Sequence, residues 1–474
     1  MKKNYAEYLK HPVFKVTRDI IDEHNLEAYV IGGFVRDLIL ERPSNDIDIV
    51  VVGNGLDLAK LVSEKLRVKK VSYFKSFGTA HFNYKDLDVE FVGARKESYQ
   101  RDSRKPIVED GTLADDQKRR DFTINALALD LRVESFGEIV DPFNGLEDLE
   151  KGLIRTPLEP KTTYSDDPLR MMRAIRFASQ LNFKIENDSL SAIKDNAHRL
   201  DIISKERISE ELNKIILSNP PSRGFKLLFS TQLLHQFFPE MVALHGVEKI
   251  NGKSHKDNFY HTLEVLDNIS KVTDDLWLRW SAIMHDIAKP PTKRFNPKVG
   301  WTFHGHEDLG ARMVPKIFRR LKLPLDSKMK YVEKLVRLHL RPISLVKGDV
   351  TDSAIRRLLN EAGDDIDDLM KLCNADITSK NEFKVRKYKK NFEKVQEKLK
   401  TVEEKDHVRN FQPPIDGKII METFDLKPCG EIGAIKQHIK EAILDGVIPN
   451  EYDEAYALMI KFGKELGLNP VQNH

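Results

Sequence analysis

The chain has 474 residues, more than one hydrophobic core accommodates, and this length predicts about three domains. Its 77 lysines and arginines nearly balance 74 aspartates and glutamates, and the net charge of +3 excludes nucleic-acid binding through a strong overall field, so such binding would need local basic patches. Two distant cysteines, Cys373 and Cys429, exclude a disulfide scaffold, while the lack of a long apolar run or a signal-peptide core predicts a cytoplasmic protein without a membrane span.

The predicted elements change character about a third of the way along the chain. Residues 1–150 alternate short β-branched runs with helical patterns, which predicts a small α/β domain built on a mixed sheet. A polar stretch between Glu97 and Asp121 predicts a mobile loop. From about Lys151 onward, apolar residues recur at three- and four-residue spacing, which predicts helices almost throughout.

A pair of glycines and a pair of aspartates lie close together near the start. The predicted strand AYVI leads into Gly32 and Gly33 and then into the predicted helix FVRDLIL, an arrangement that lets the backbone approach a phosphate. Asp46 and Asp48 are two residues apart on the next predicted strand, so both face one side of the sheet. Two carboxylates on one face favour Mg²⁺, and two such ions serve an in-line phosphoryl transfer.

A third acid is expected to complete this carboxylate set. The predicted strand LDVEFVGAR offers Glu90, which we predict to be the catalytic acid. Asp88 lies two residues away on the same face and is the alternative.

These segments resemble a known family. GGFVRD at residues 32–37, DIDIVV at 46–51 and RRDFTINALA at 119–128 are similar to the class II tRNA nucleotidyltransferases, polymerase β-like enzymes that include CCA-adding enzymes and bacterial poly(A) polymerases. The resemblance covers most of the chain. It implies a nucleotidyltransferase head over 1–150, a helical neck over 151–245, an HD metal-binding domain over 246–390 and a helical RNA-contacting tail over 391–474. It also implies that Asp46 and Asp48 bind catalytic Mg²⁺.

The segment RRDFTINALA carries groups suited to a nucleotide. Arg119 and Arg120 offer planar donors for phosphate or ribose oxygens, and Asn125 suits a 2′-hydroxyl. In the family, the matching motif contacts the ribose and triphosphate. The preceding loop, Ser98–Lys118, matches a flexible family element that helps to position substrates.

The stretch YSDDPLRMMRAIRFASQ predicts a helix with Asp167 as its N-cap and Pro168 as its first residue. Asp167 can accept and Arg170 can donate hydrogen bonds, which suits the adjacent donor and acceptor of cytosine and adenine but not the reverse pattern of guanine and uracil. The matching pair selects CTP and ATP in the family, in which many members have glutamate at the position of Asp166. The predicted nucleotide-binding residues are Gly32, Gly33, Arg36, Asp37, Arg119, Arg120, Asp121, Asn125, Asp167, Arg170, Arg173 and Arg176.

A further segment, ISKERISEEL, resembles a family helix motif that supports the site. Its counterparts here are Glu206, Arg207 and Glu211, although the adjacent Glu210 leaves the last position open.

Histidines and aspartates recur through the third segment with the spacing of HD phosphohydrolases, whose metals activate water against phosphate esters. The candidate ligands are His261, His285, Asp286, His306, His339 and Asp376. His304 competes with His306, and the metal is unidentified.

These features lead to one principal hypothesis: CCA addition to tRNA 3′ ends from CTP and ATP, with a second site for phosphohydrolysis. Basic clusters at Arg170–Arg176, Lys316–Arg320 and Arg386–Lys390 would contact RNA. The alternatives within the class are a poly(A) polymerase or an enzyme that adds only CC or only A. Outside it are a signalling enzyme that joins nucleotidyltransferase and HD units, and a metal-dependent phosphohydrolase whose N-terminal domain only binds RNA.

Overall fold

The computed structural model describes residues 4–75, 78–98, 107–345, 351–378, 382–406, 409 and 411–471. The chain divides into two compact units, Met1–Val242 and Ala243–His474. Among the described residues, no helix is long and apolar enough to cross a membrane.

The first unit is built on a seven-stranded sheet with the order β3-β4-β5-β2-β1-β8-β9, in which β2 and β5 are parallel and the other neighbours antiparallel. The predicted mixed sheet is therefore confirmed. Its strands are β1 (Glu27–Ile31), β2 (Asp46–Val52), β3 (Ser72–Phe74), β4 (Thr79–Tyr84), β5 (Leu87–Gly93), β8 (Ala128–Asp130) and β9 (Ile139–Val140). Shorter pairs are formed by β6 (Arg95–Ser98) with β7 (Ile107–Asp110) and by β10 (Leu153–Ile154) with β11 (Lys184–Ile185).

This unit also contains α-helices, the first few of which contact strands of the sheet. They are α1 (Pro12–Glu23), α2 (Gly33–Ile39), α3 (Gly55–Lys65), α4 (Leu113–Lys118), α5 (Gly145–Lys151), α6 (Pro160–Asp166), α7 (Leu169–Gln180), α8 (Asn187–Asn196), α9 (Lys205–Ile216), α10 (Ser222–Ser230), α11 (Leu233–Phe237) and α12 (Pro239–Ala243). Helix α3 packs on β4 and β5, and α1 packs on α3. Alternation along β2 buries Ile47, Ile49 and Val51 on one face and leaves Asp46 and Asp48 on the other.

The predicted mobile loop between Glu97 and Asp121 was wrong over its described part. The strands β6 and β7 pair, and α4 follows with a capping box in which Thr112 and Asp115 bond to each other's backbone N–H groups. These local bonds order a segment that has few apolar residues. Residues 99–106, which also belong to the predicted flexible element Ser98–Lys118, lie outside the described residues.

The second unit is almost entirely helical. Its helices are α13 (Asn258–Ser270), α14 (Leu276–Met284), α15 (Lys289–Thr292), α16 (His306–Leu321), α17 (Ser327–Leu338), α18 (Leu340–Leu345), α19 (Asp352–Ala362), α20 (Ile366–Ala375), α21 (Glu382–Asp406), α22 (Gly417–Phe424), α23 (Gly430–Asp445) and α24 (Tyr452–Glu465). Two hairpins, β12 (Lys249–Ile250) with β13 (Lys253–Ser254) and β14 (Arg294–Asn296) with β15 (Gly300–Thr302), accompany them. Apolar faces of α13, α14, α16 and α17 form its core around Trp280 and Phe318.

Candidate functional site

A row of carboxylates crosses the face of the sheet that carries Asp46 and Asp48. In the parallel pairing of β2 with β5, Asp46 lies opposite Asp88 and Asp48 lies opposite Glu90. Burial raises the pKa of Asp48, and the neighbouring Asp46 adds to that rise while Arg120 opposes it. Crowded oxygen donors of this kind fit a hard divalent cation such as Mg²⁺, which would offset their repulsion.

The two alternatives for the third acid have different surroundings. Asp88 Oδ1 is in contact with His81 Nε2 and accepts a hydrogen bond of 3.2 Å from Asn83 Nδ2. Burial and the charge of Asp48 raise the pKa of Glu90. Asp88 is therefore held by its neighbours on β4, whereas Glu90 interacts electrostatically with Asp48. This geometry favours Glu90, whose role stays a prediction.

The glycine turn brings the backbone against the carboxylates. Gly32 has a φ of +87°, and a Cβ there would lie 2.8 Å from Arg120 Nη1 and 3.3 Å from Asp48 Oδ2. A side chain at this position would be strained and would displace both groups. Helix α2 starts at Gly33, and Arg36 turns inward, where its guanidinium donates to Asn125 Oδ1 at 2.8 Å and to Asp37 Oδ2 at 2.7 Å.

The two arginines of the RRD segment are held by an acid that we did not predict. Asp116 on α4 is fully buried, and its carboxylate accepts from Arg119 Nε at 2.9 Å and Arg120 Nε at 3.2 Å. The signal was present, since the acid precedes the arginines by three and four residues. However, we predicted a loop for this segment, so the sequence did not show that Asp116 lies on a helix.

Asp121 links the RRD segment to helix α7. It is buried, and its two oxygens accept from Asn125 Nδ2 at 2.9 Å and from Arg173 Nε at 2.7 Å. Although burial opposes the change, Arg173 and Asn125 lower the pKa of Asp121 to about 2. The ion pair of Asp121 with Arg173 thus holds Asn125, another predicted nucleotide-binding residue, in place.

Replacing Asp121 by asparagine is expected to destabilise the first unit by about 2 kcal/mol at neutral pH, because a pKa of about 2 lies below the usual value of 3.8. A carboxyl with a lowered pKa stabilises the fold above pH 3.8, and that contribution is lost as the pH falls toward 2. Tryptophan fluorescence would not report on the first unit, because the three tryptophans lie in the second. Hydrogen exchange of peptides covering 119–130 and 169–180 is therefore the suitable measurement. The variant should lose protection at pH 7 and differ less from wild type near pH 3, whereas the exposed Asp195→Asn should match wild type throughout.

Helix α7 starts one residue later than predicted. Pro168 occupies the cap position, and the carboxylate of Asp167 accepts from Leu169 N at 3.2 Å, the bond two residues on that a capping side chain makes. Arg170 Nη2 donates to the Arg119 carbonyl at 2.5 Å. Asp167 and Arg170 therefore lie at the start of a helix that is tied directly to the RRD segment.

The motif on α9 supports this helix. Glu211 is buried and its Oε2 lies 2.7 Å from Arg176 Nε, while Glu210 is exposed. Arg176 also lies over the Phe177 ring at 4.1 Å. The geometry thus distinguishes the two glutamates, and it shows that Arg173 and Arg176 make intramolecular ion pairs. The clusters Lys316–Arg320 and Arg386–Lys390 present basic side chains on exposed helix faces of the second unit.

The second unit brings all six predicted histidines and aspartates together. His261 Nε2 lies 2.9 Å from Asp376 Oδ1, His285 Nε2 lies 3.2 Å from Asp286 Oδ2, and His306 Nε2 lies 3.4 Å from Asp286 Oδ1. These residues form two sets of possible ligands that share Asp286, and within each set the donor atoms lie within 4.8 Å of one another. The sets are His261, His285 and Asp286, and Asp286, His306 and His339. His304 is exposed and belongs to neither set.

The histidines of this cluster are oriented as metal ligands are. Nδ1 of His285, His306 and His339 each bonds to a backbone carbonyl, at 2.7, 2.7 and 2.6 Å, which directs each Nε2 inward. Within the described part of the chain, His339 Nε2 is buried without a hydrogen-bond partner, and Nε2 of His285 and of His306 faces the carboxylate of Asp286. Burial and the nearby His285 lower the pKa of His339 to about 4, so it is neutral at physiological pH. The donor set fits a divalent metal.

Two neighbours of the cluster were not predicted. Lys289 Nζ lies 2.6 Å from Asp286 Oδ2, and Thr378 Oγ1 lies 2.9 Å from His261 Nδ1. Lys289 follows Asp286 by three residues, a spacing that the sequence shows but that alone does not distinguish a ligand neighbour from a solvated lysine.

The first unit has a mixed sheet in which a strand, a glycine turn, a helix and a second strand with paired aspartates follow one another. The second unit has a helical cluster of HD ligands. Together they define a polymerase β-like nucleotidyltransferase joined to an HD domain. Sequence profiles agree: the Poly A polymerase head domain matches residues 28–155, the probable RNA and SrmB-binding site of polymerase A matches 182–244, and the HD domain matches 258–378. The chain is 31% identical over 366 residues to an A-adding tRNA nucleotidyltransferase of Deinococcus radiodurans, covering 74% of this chain and 80% of that protein. The chain belongs to the tRNA nucleotidyltransferase and poly(A) polymerase family.

Other relatives match over shorter stretches. An A-adding tRNA nucleotidyltransferase of Aquifex aeolicus is 39% identical over 43% of this chain, and a CCA-adding enzyme of Lactobacillus helveticus is 40% identical over 45%. The chain spans only 24% and 52% of the lengths of these two relatives. A solved complex of a CCA-adding enzyme with CTP has the same fold, with a TM-score of 0.64, 21% identity and 98% of each chain covered.

Proposed function

We propose that this protein adds CCA to tRNA 3′ ends from CTP and ATP and releases pyrophosphate. One arrangement carries the proposal: a single compact unit holds the carboxylates of β2 and β5, the arginines of the RRD segment and the helix that bears Asp167 and Arg170. The direct bond from Arg170 to the Arg119 carbonyl couples the base-facing helix to the phosphate-facing segment. The relatives named CCA-adding enzyme support this function, and the family membership gives no support to a signalling enzyme.

In this reaction the RNA 3′-hydroxyl attacks the α-phosphate, a bond forms between its oxygen and phosphorus, and pyrophosphate leaves with the bridging oxygen. The hydroxyl proton passes to solvent. Mg²⁺ held by Asp46 and Asp48 would supply positive charge to the attacking oxygen and the triphosphate. Arg119 and Arg120, held by Asp116, would bind the phosphates, and the lack of a side chain at Gly32 leaves room for the Arg120 guanidinium.

The test is incubation with tRNA that lacks CCA, tRNA that ends in CC, and a generic RNA, with each nucleoside triphosphate supplied alone and in combination. CCA addition requires CMP to join the first tRNA and one AMP to join the second. Long A-tails on generic RNA would establish a poly(A) polymerase, and addition of only CC or only A would establish a partial enzyme.

Replacing Asp167 by alanine is expected to lower kcat/KM for CTP and ATP by about 100-fold, because a polar base edge would lose its partner. The preference over UTP and GTP should fall as well, since the same acceptor rejects their reversed pattern. Single-nucleotide addition with each of the four triphosphates measures both effects. Asp188→Ala, which removes an exposed acid from the first turn of α8, is the matched control. Unchanged selectivity in Asp167→Ala would exclude it from base reading.

We further propose that the HD cluster binds a divalent metal and hydrolyses phosphate esters. The inward Nε2 atoms and the shared Asp286 support this role. The division into a head, neck, HD domain and tail at 150, 245 and 390 is likewise a proposal. So is a cytoplasmic location, which two free cysteines favour.

A further inference from the structure

Strand β4 extends the carboxylate row by one more strand. Pairing of β4 with β5 places Asn83 opposite Asp88 and His81 opposite Glu90. Because β2 lies on the other side of β5, two rows cross the sheet: Asp46, Asp88 and Asn83 in one, and Asp48, Glu90 and His81 in the next. His81 is thus on the same face as the predicted metal ligands, and no motif of the sequence pointed to it.

The imidazole of His81 does not face its direct partner. Its Nε2 is in contact with Oδ1 of Asp88 in the neighbouring row, and the same oxygen accepts from Asn83 Nδ2 at 3.2 Å. Two side chains of β4 therefore converge on one oxygen of Asp88. Among the described residues, the influences on the Glu90 carboxylate are burial and the charges of Asp48, His81, Arg95 and Asp88, and they include no hydrogen bond of this kind.

This difference bears on metal binding. Asp46 and Asp48 are flanked by two acids on β5, and a cation placed among all four would have more than one possible position. The two contacts at Oδ1 fix the orientation of the Asp88 carboxylate toward β4, and turning that carboxylate toward a metal on Asp46 and Asp48 would break them.

We propose that His81 is a positioning residue that holds Asp88 away from the metals, so that Glu90 completes the carboxylate set. The inference rests on the proposed nucleotide addition. The His81 and Asp88 side chains are 32% and 44% exposed, and such a pair contributes little to folding stability. Its effect should therefore appear in metal binding and catalysis and not in thermal unfolding.

The experiment compares His81→Ala with the double variant H81A/D88N. Without His81, Asp88 should compete for the metal and draw it away from its position beside Asp46, Asp48 and Glu90. H81A should therefore lower kcat about tenfold and shift the Mg²⁺ concentration for half-maximal nucleotide addition. Removing the freed charge in H81A/D88N should restore both values toward wild type, whereas a defect caused by the missing ring alone would persist. Glu90→Gln should lose far more activity than Asp88→Asn. His24→Ala, an exposed histidine in the same unit, is the control.

A second measurement does not depend on activity. Mn²⁺ binding, followed by electron paramagnetic resonance in full-length protein whose HD site is disabled by Asp286→Asn, should be several-fold tighter in H81A and return to the wild-type value in H81A/D88N. If wild type adds no nucleotide but the Mn²⁺ shifts occur, the proposed function fails and the positioning role stands. Unchanged Mn²⁺ binding in H81A, or a double variant no better than H81A, overturns the positioning role.

Discussion

Asp48→Asn is expected to lower kcat for nucleotide addition by at least ~10³-fold while the protein stays folded. The substitution keeps the shape of the side chain but removes one of the two charges that would hold Mg²⁺ opposite the triphosphate. Burial, Asp46 and Asp116 all raise the pKa of Asp48, which means that its ionised form is destabilised in the folded chain. Removing that charge should leave the melting temperature unchanged or slightly higher, as occurs when an active site gives up stability for function.

The measurements are single-turnover addition to tRNA lacking CCA and thermal unfolding followed by circular dichroism. Asp57→Asn, an exposed aspartate on α3 in the same unit, controls for the loss of a negative charge. Asp46→Asn should behave like Asp48→Asn. Activity of Asp48→Asn within tenfold of wild type would remove this carboxylate from the metal site.

The paired aspartates could be predicted from sequence because their geometry is local. Two residues two apart on one strand share a face whatever the strand pairs with. The third acid depends on which strand lies beside β2 and in which register, and only the parallel pairing with β5 shows that Glu90 is level with Asp48. A slip of two residues would have given the place to Asp88.

The polar supports of the site could not be predicted, since each depends on contacts between distant segments. Asp121 bonds to Arg173 from 52 residues away, and Arg36 bonds to Asn125 from 89 residues away. Asp116 was missed for a different reason: its partners are local, but its helix lies in a segment whose polar composition predicts a loop. The role of His81 follows from a strand that carries no motif.

The HD ligands illustrate the same limit at short range. By their spacing in the sequence, His304 and His306 are equally suited to be the metal ligand. The turn between them decides which one reaches the cluster. Gly305 has a φ of +75° and caps α16, so that His306 is carried into the buried cluster while His304 stays exposed. Such a backbone conformation favours glycine, and Gly305 between two histidines is the one local sign of which of them turns inward.

Asp286→Asn is expected to remove bound metal from the second unit and to lower any phosphohydrolase activity by at least ~10³-fold, with nucleotide addition largely retained. Asp286 belongs to both ligand sets, so this single change should weaken metal binding whether the cluster holds one ion or two. Although burial opposes the change, His285 and Lys289 lower the pKa of Asp286, which keeps it anionic for a metal. Metal content of purified protein and hydrolysis of phosphomonoesters and cyclic phosphodiesters give the readouts.

His306→Ala and His304→Ala form the matched pair for this site. The first removes a buried Nε2 that faces Asp286 and should lose metal, while the second removes an exposed ring two residues away and should retain it. Loss of nucleotide addition together with metal in Asp286→Asn would mean that the HD cluster has a structural role. Retention of addition would show that each unit carries its own chemistry, because the carboxylate row lies wholly within the first unit and the histidine cluster wholly within the second.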